Sequence, residues 1–511
     1  MTTGTIDAIK KPDSGQGDPM KRRITRRDFI QQSSMAAILA MTGGLPGCSS
    51  SSPVGPDGAA LRAPNSLPDP LRAAGVADAA LPFDHVVVVM MENHSFDNYF
   101  GMLSQRGQPK ADGFKLDARG KPTNRNPVEG GFQKSFHLQG TCQPGRVTQN
   151  WNSSHIQING GKMNGYAKTA TSAMGYWDES DIPFYYSLAK TFCVGDRCFA
   201  SAPCQTYPNR RFLYSGTASG TISTDVATNF TLPGPTNGTL MDKMTENGVS
   251  WRSYFTDLPA LAIVPQNLIN HPLNFSPVAQ FYVDCALGTL PAVSFVDPEF
   301  NAVSTVGSPL FSFLKDASTS IPGLPQDVID LIRSLDNKVN AQGGSEENPD
   351  DISIGENFVA SIVNAVMASP NWARTLLVWT YDEHGGYYDH VPPARVPKPD
   401  DIPPNLKDTD IQGSYDITGM RVPTVVVSPY SKPNAVTSVV HDHTSIIATI
   451  AAKWNLPALT YRDANANTLL DFLDLENPPA FINPPTLAAP SDLKLILEGC
   501  QGLPPEPVIE T

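Results

Sequence analysis

Three short apolar runs constrain the chain more than anything else in it: "HVVVVMM" (His85–Met91), "TLLVWT" (Thr375–Thr380) and "TVVVS" (Thr424–Ser428). They are rich in β-branched residues and almost free of polar breaks, so neither face is left for water. Runs of this kind fit strands buried on both sides, as in a parallel sheet sandwiched between helix layers. Ahead of the second run, the stretch 357–369 carries Phe358, Ile362, Val363 and Val366 at helical spacing. A helix feeding a buried strand is half of a crossover unit. The expected architecture is α/β, with a mostly parallel central sheet flanked by helices.

In open parallel sheets, ligands collect outside the carboxyl ends of the strands. The first run is followed at once by Glu92 and Asn93, and the second by Asp382, Glu383 and His384 within "YDEHGGYYDHV". Gly385 and Gly386 let the backbone turn closely around whatever the acids hold. Carboxylates gathered from two strand ends repel one another unless a cation lies between them. A hard divalent ion accepts such oxygens, with the Asn93 amide oxygen as a neutral donor. The plainer alternative is that these acids cap helices and bind loop amides. Two clusters on two strand ends favour the ion.

A third element is "CFASAPCQTYPNRRFLYSG", in which Thr206 precedes a segment that opens a helix at Pro208. A hydroxyl at a helix start faces free amides and the positive end of the helix dipole, where anions settle. Thr206 reads either as a capping residue or, beside a metal ion, as a nucleophile of lowered pKa.

With 37 basic and 50 acidic residues, the 511-residue chain has a net charge of −13, which argues against a nucleic-acid partner. The 47 prolines and 39 glycines point to a loop-rich globular protein. No apolar run approaches the roughly 18–20 residues of a membrane span. At the N-terminus, "TRRDFI" (25–30) and the mildly apolar stretch 35–45 resemble a twin-arginine export signal within residues 1–48. "LPGC" resembles a lipoprotein cleavage box with Cys48 as the acylated residue, although Pro46 departs from the usual pattern. These features imply an exported protein: periplasmic, secreted, or attached to a membrane through an N-terminal lipid. Residues 49–80 read as a linker, 81–475 as the catalytic domain and 476–511 as a proline-rich tail. In an oxidising compartment, Cys142, Cys193, Cys198, Cys204, Cys285 and Cys500 read as disulfide partners. A zinc cluster at Cys193, Cys198 and Cys204 is the rival reading, which their spacing disfavours.

Five stretches then occur in order: "ENHSFDNYFG", "CFASAPCQTYPNRRF", "GTLPAVSFVDPEF", "SPNWARTLLVWTYDEHGGYYDHVPP" and "RVPTVVVSPY…HDHTSI". Together they resemble the bacterial phosphoesterase family of non-haemolytic-type phospholipases C and related acid phosphatases, over roughly residues 81–475. The resemblance implies an alkaline-phosphatase-like sandwich. It also implies a phosphoric ester hydrolase with one divalent ion of unspecified identity. Thr206 aligns with the family's Ser/Thr nucleophile, and Glu92, Asn93, Asp382 and Glu383, with Thr206, align with its metal ligands. His155, in "NSSHIQINGGKMNGY", matches a histidine expected at the phosphoryl group. Read by itself it is an ordinary loop histidine. His443 fits its motif but equally suits a simple helix start and receives no catalytic role; His137 is weaker still.

Two stretches depart from the family pattern. Asn348, in "EENPDD", stands where a histidine is expected; His271, in "NHPLNF", is a candidate to compensate, although nothing in the sequence places it there. Residues 302–345 contain an amphipathic stretch, 326–340, with Val328, Ile329, Ile332 and Leu335 on one face; it reads as a packed helix, a lid or a lipid-contacting face. With a proline-rich tail at 476–511, the C-terminal β domains of the family's larger phospholipases are not expected. The substrate is a phosphate ester, with phospholipid among the candidates. A phospholipase C-like diesterase leads; an acid phosphatase or a weakened phosphate-binding protein remain as alternatives.

Overall fold

The computed structural model describes residues 53–143, 147–300 and 351–492. The strands of its central sheet are β1 (His85–Met91), β2 (Cys193–Gly195), β3 (Trp251–Phe255), β4 (Phe275–Pro277), β5 (Val293–Asp297), β6 (Thr375–Tyr381), β7 (Thr424–Val427) and β8 (Ala435–Thr437). They form one eight-stranded sheet in the order β8-β2-β7-β6-β1-β5-β3-β4. β1 lies between β5 and β6, parallel to both, with Met91 opposite Tyr381. The helices that matter below are α1 (Phe96–Phe100), α2 (Trp151–Ile158), α3 (Thr206–Ser215), α4 (Ile352–Ala368) and α5 (His443–Trp454).

Strand alternation feeds two cores. Val87, Val89 and Met91 enter one, together with Leu377, Trp379 and Tyr381 of β6. Val86, Val88 and Met90 enter the other, with Leu376 and Val378. α4 covers the first core through Phe358, Ile362, Val363 and Val366; α5 covers the second through Ile446, Ile447 and Ile450. Each fully buried side chain of this size contributes roughly 1.5–3 kcal/mol, which makes β1 and β6 a stiff base for the residues that follow them. The expected α/β sandwich with a mostly parallel sheet is therefore present.

One strand corrects the expectation. β7 pairs antiparallel with β6, Leu377 opposite Val427 and Thr380 opposite Thr424, and antiparallel with β2. The chain returns from β6 to β7 through the long loop 382–423, not through a crossover helix, so it can re-enter the sheet in the opposite direction. Burial on both faces, read correctly from Val425, Val426 and Val427, carries no information about direction.

The segment before β1 is tied down. Asn65 and Ala458 amides bond to Ala458 and Ser66 carbonyls, Asn455 Nδ2 donates to Asp69 O (2.9 Å), and the buried Lys453 donates to Asp78 O and Leu81 O. The described part of the proline-rich tail is also anchored, with Ser491 N donating to Glu356 Oε2 (2.7 Å). The cysteines need a correction too. Cys193, Cys198, Cys204 and Cys285 are free, buried thiols, and burial pushes all four upward. They serve as small apolar core residues, not as disulfide partners. Cys142 is disulfide-bonded. The export signal, Cys48, Asn348, the stretch 302–345, Cys500 and the tail beyond 492 lie outside the described residues.

Candidate active site at the strand ends

Met91 and Tyr381 sit side by side and hand the chain to Glu92 and Asp382. The Asp382 amide donates to Met91 O (3.1 Å), and its Oδ1 accepts from the amides of Asn93 (3.2 Å) and Glu383 (2.7 Å). Asn93 adopts a left-handed backbone (φ 71°), which asparagine tolerates better than most residues. Gly385 makes the fit feasible: a Cβ there would lie 1.8 Å from Asn93 O, and its own φ is 65°. The Asn93 side chain donates to Glu92 Oε2 (3.3 Å) and accepts from Gln149 Nε2 (3.4 Å). Glu383 Oε2 accepts the Gly385 amide (2.8 Å) and lies 3.2 Å from His384 Nδ1. Burial pushes His384 down to about 3, so its ring is neutral, and its Nε2 pairs with Gln157 Oε1 on α2.

α3 brings the hydroxyl. Thr206 is its first residue, and the N-cap, Gln205, makes no side-chain capping bond, so the first-turn amides have no capping side chain on them. Asn209 fixes the approach by accepting from Ala202 N (2.9 Å) and donating to Cys204 O (2.8 Å). Burial raises Asp382 above the ordinary carboxylate range, while Arg210, the two backbone amides and the Thr206 side chain hold it partly down. Arg210, one turn on from Thr206, lies 3.5 Å from Asp382, which sets the start of α3 against the strand ends.

Two site residues escaped the sequence reading. Arg210, fully buried on α3, lies 3.3 Å from Glu92, 3.5 Å from Asp382 and 3.7 Å from Asp297, and donates to Met90 O (3.0 Å). Asp297 closes β5, the neighbour of β1; burial raises it to about 6, with Arg210 and the Ala260 amide opposing. The signals were present: Asp297 ends the apolar run "VSFVD" as Glu92 ends "HVVVVMM", and Arg210 lies in the helix that Thr206 opens.

Three buried carboxylates, Glu92, Asp297 and Asp382, thus share one guanidinium, and a fourth buried acid, Glu383, follows Asp382 in the chain. Buried negative charge in such excess is costly unless protons or a cation offset it. Carboxylate, amide and hydroxyl oxygens are the donors a hard divalent ion takes, so the residues fit one. Glu92, Asp382 and Glu383 are spaced more widely than the tightest acidic groups among the described residues. Those are Asp97–Asp389–His390 and His137–Asp178–Asp181, whose ligand atoms lie within 4.8 Å of one another.

The remaining histidines separate. His155 lies on α2, its ring tilted by 41° against that of Trp151, with Nδ1 2.7 Å from Trp151 O; neither of these contacts is with Thr206 or an acid of the strand ends. Its neighbours Gln149 and Gln157 do reach Asn93 and His384. His443 bridges Asn209 O and Tyr381 O, joining α3 to β6 at the start of α5, and burial pushes it to about 4. His137 pairs with Asp181 and His271 with Asp242, so His271 is directed away from the strand ends.

The acids, the hydroxyl and the guanidinium thus gather at the strand ends of an α/β sheet, and residues 83–457 match the model of the Phosphoesterase family. The chain belongs to that family. It is a hydrolase acting on phosphoric ester bonds. It is similar to non-specific phospholipase C1 of Arabidopsis thaliana, at 30% identity over 78% of this chain and 72% of that protein. Non-hemolytic phospholipase C of Burkholderia pseudomallei (strain K96243) is 27% identical over 84% of this chain and 61% of that protein. Among solved structures, a phosphonate monoester hydrolase of Agrobacterium radiobacter aligns with 77% of this chain and 78% of that one, at 13% identity and a TM-score of 0.33.

Proposed function

We propose that the chain is a phospholipase C-like phosphodiesterase with Thr206 as nucleophile and one divalent ion held by Glu92, Asn93, Asp382, Glu383 and Thr206. The observation that carries this is the docking of α3, which Thr206 opens, against the ends of two buried strands, with Arg210 lying 3.3 Å from Glu92 and 3.5 Å from Asp382. A bound divalent ion supplies positive charge that lowers the pKa of a nearby hydroxyl and offsets the charge of the phosphoryl oxygens. Thr206 Oγ1 attacks phosphorus in line, and the bond to the leaving alkoxide breaks. The first-turn amides of α3 hold the equatorial oxygens. The alkoxide takes up a proton, water enters from the vacated side, and the phosphothreonine is hydrolysed to return Thr206. His155, through the ring nitrogen not bonded to Trp151 O, is assigned to the phosphoryl group.

The relatives named as phospholipases C support a phospholipid diester as substrate, with diacylglycerol and a phosphorylated head group as products. The test is a parallel assay on phosphatidylcholine and an aryl phosphomonoester, after chelation and again after divalent ions are restored. We expect ion-dependent cleavage of the diester. Turnover of the monoester alone would make the protein an acid phosphatase, and phosphate binding without turnover would make it a binding protein. The sequence of residues 1–48 further supports twin-arginine export, with Cys48 as a lipid attachment point. Replacing Arg26 and Arg27 with lysine should leave the protein in the cytoplasm, and an unlipidated Cys48 in the mature protein would remove the anchor.

A further inference from the structure

A second buried guanidinium, Arg421, lies just before β7 and grips both loops that carry the proposed ion ligands. Its Nη2 donates to Asp97 Oδ1 (2.9 Å), in the first turn of α1, which ends the loop that begins with Glu92 and Asn93. Its Nε donates to Asp389 Oδ1 (2.9 Å), on the loop that begins with Asp382 and Glu383. Nη1 reaches the carbonyls of Asp112 (2.8 Å) and Asp196 (3.1 Å), and the Arg421 carbonyl accepts from Phe96 N (3.0 Å). The loops also bind each other. Asp97 N donates to Asp389 Oδ2 (3.2 Å), Ser95 Oγ to Tyr388 O (2.7 Å), and His390 N to Asp97 Oδ2 (2.8 Å).

Asp97, Asp389 and His390 bring their ligand atoms close enough for a cation, but the place is taken. Arg421 and His390 occupy the two Asp97 oxygens, while Arg421, Val391 N and Asp97 N occupy those of Asp389. The cluster is a clamp, not a second metal site. None of its members reaches the Arg210 group directly, so any influence on the ion passes through the backbone of the two loops.

We infer that Arg421 is a positioning residue for the proposed ion site, fixing the Glu92–Asn93 and Asp382–Glu383 ligand pairs relative to each other through Asp97 and Asp389. The inference rests on the reading of those four residues as ligands. Removing the guanidinium leaves two buried like charges facing each other and pushes the loops apart. Outer partners of metal ligands typically govern about 10–100-fold in affinity.

The test is the dissociation constant for Mn²⁺, read from the EPR signal of the free ion, for wild type, Arg421→Lys and Asp389→Asn, with folding checked by near-UV circular dichroism. Lysine keeps the charge but cannot fork to both acids; asparagine keeps the shape and loses one charged grip. We expect each folded variant to bind Mn²⁺ about 10–100-fold more weakly and to regain much of its turnover at saturating Mn²⁺. A folded variant with lowered thermal stability but wild-type affinity would overturn the inference, as would failure of both variants to fold. Asp382→Asn separates the two readings. If it leaves Mn²⁺ binding unchanged, the ligand assignment itself fails; if it abolishes binding while the clamp variants bind normally, only the clamp fails.

Discussion

Arg210 and Arg421 are both buried guanidiniums set among acids from the strand-end loops, and they are held in opposite ways. Arg421 makes hydrogen-bonded pairs at 2.9 Å with two carboxylates and spends Nη1 on two carbonyls. Arg210 stands 3.3–3.7 Å from three carboxylates, and its Nε and Nη1 have no hydrogen-bond partner. The balance of charge differs as well. Asp97 and Asp389 face Arg421 and a histidine, His390, that Asp97 keeps charged, whereas three acids, Glu92, Asp297 and Asp382, face Arg210. A satisfied buried network has little left to offer a ligand. An under-compensated one has charge and lone pairs to spare, and the under-compensated one is where Thr206 sits.

That contrast can be broken most forcefully at Arg210. Arg210→Met should destabilise the chelated protein by roughly 3–5 kcal/mol in denaturant unfolding, because Glu92, Asp297 and Asp382 lose the guanidinium they share. With saturating divalent ion the loss should shrink, since the ion takes over the compensation. An equal loss in both conditions would mean that the two arginines play the same structural part.

A smaller effect should appear at His390. Burial lowers its pKa, but the charge and hydrogen bond of Asp97 outweigh burial and raise it to about 9, against an ordinary value of about 6.5. Its stabilising contribution is therefore complete below about pH 6.5 and fades as the pH rises through about 9. Asp112, Asp389 and Arg421 are the other charged groups facing or near the ring. The melting temperature should fall across this window, and His390→Gln should flatten most of the slope. A slope unchanged in the variant would remove His390 from the clamp.

The exposed pair Arg395–Asp416, at 3.4 Å, calibrates the comparison from below. Arg395→Ala should cost no more than about 1 kcal/mol in the same unfolding assay. A larger loss would show that pairing as such, not burial, decides the behaviour of these arginines.

Much of the framework was readable in the residues. "HVVVVMM" and "TLLVWT" could only be satisfied by burial on both faces, so the polar residues after them had to emerge together at one edge of a sheet. Thr206 opening a helix followed from Pro208 and the residues beyond it. What stayed hidden depends on contacts between distant segments. Arg210 reads as a solvated helix residue until α3 crosses the ends of β1 and β6 and buries it. Nothing in the residues around Asp97 points to its partner, Arg421, which lies hundreds of positions away at the head of an apolar strand. The direction of β7 is invisible in "TVVV", since an apolar run fits either orientation equally well. The cysteines misled for a different reason: an even count in an exported chain suggests pairing, but four of the thiols face the core, where a sulfur fills space without a bond.

The most direct test is to follow phosphorus. The full chain, loaded with divalent ion, should be mixed with a ³²P-labelled diester and quenched in acid within one turnover. We expect label on Thr206, released as the second step proceeds, and no label or turnover in Thr206→Ala. Turnover retained by Thr206→Ala, or label located on another residue, would contradict a strand-end site built around this hydroxyl.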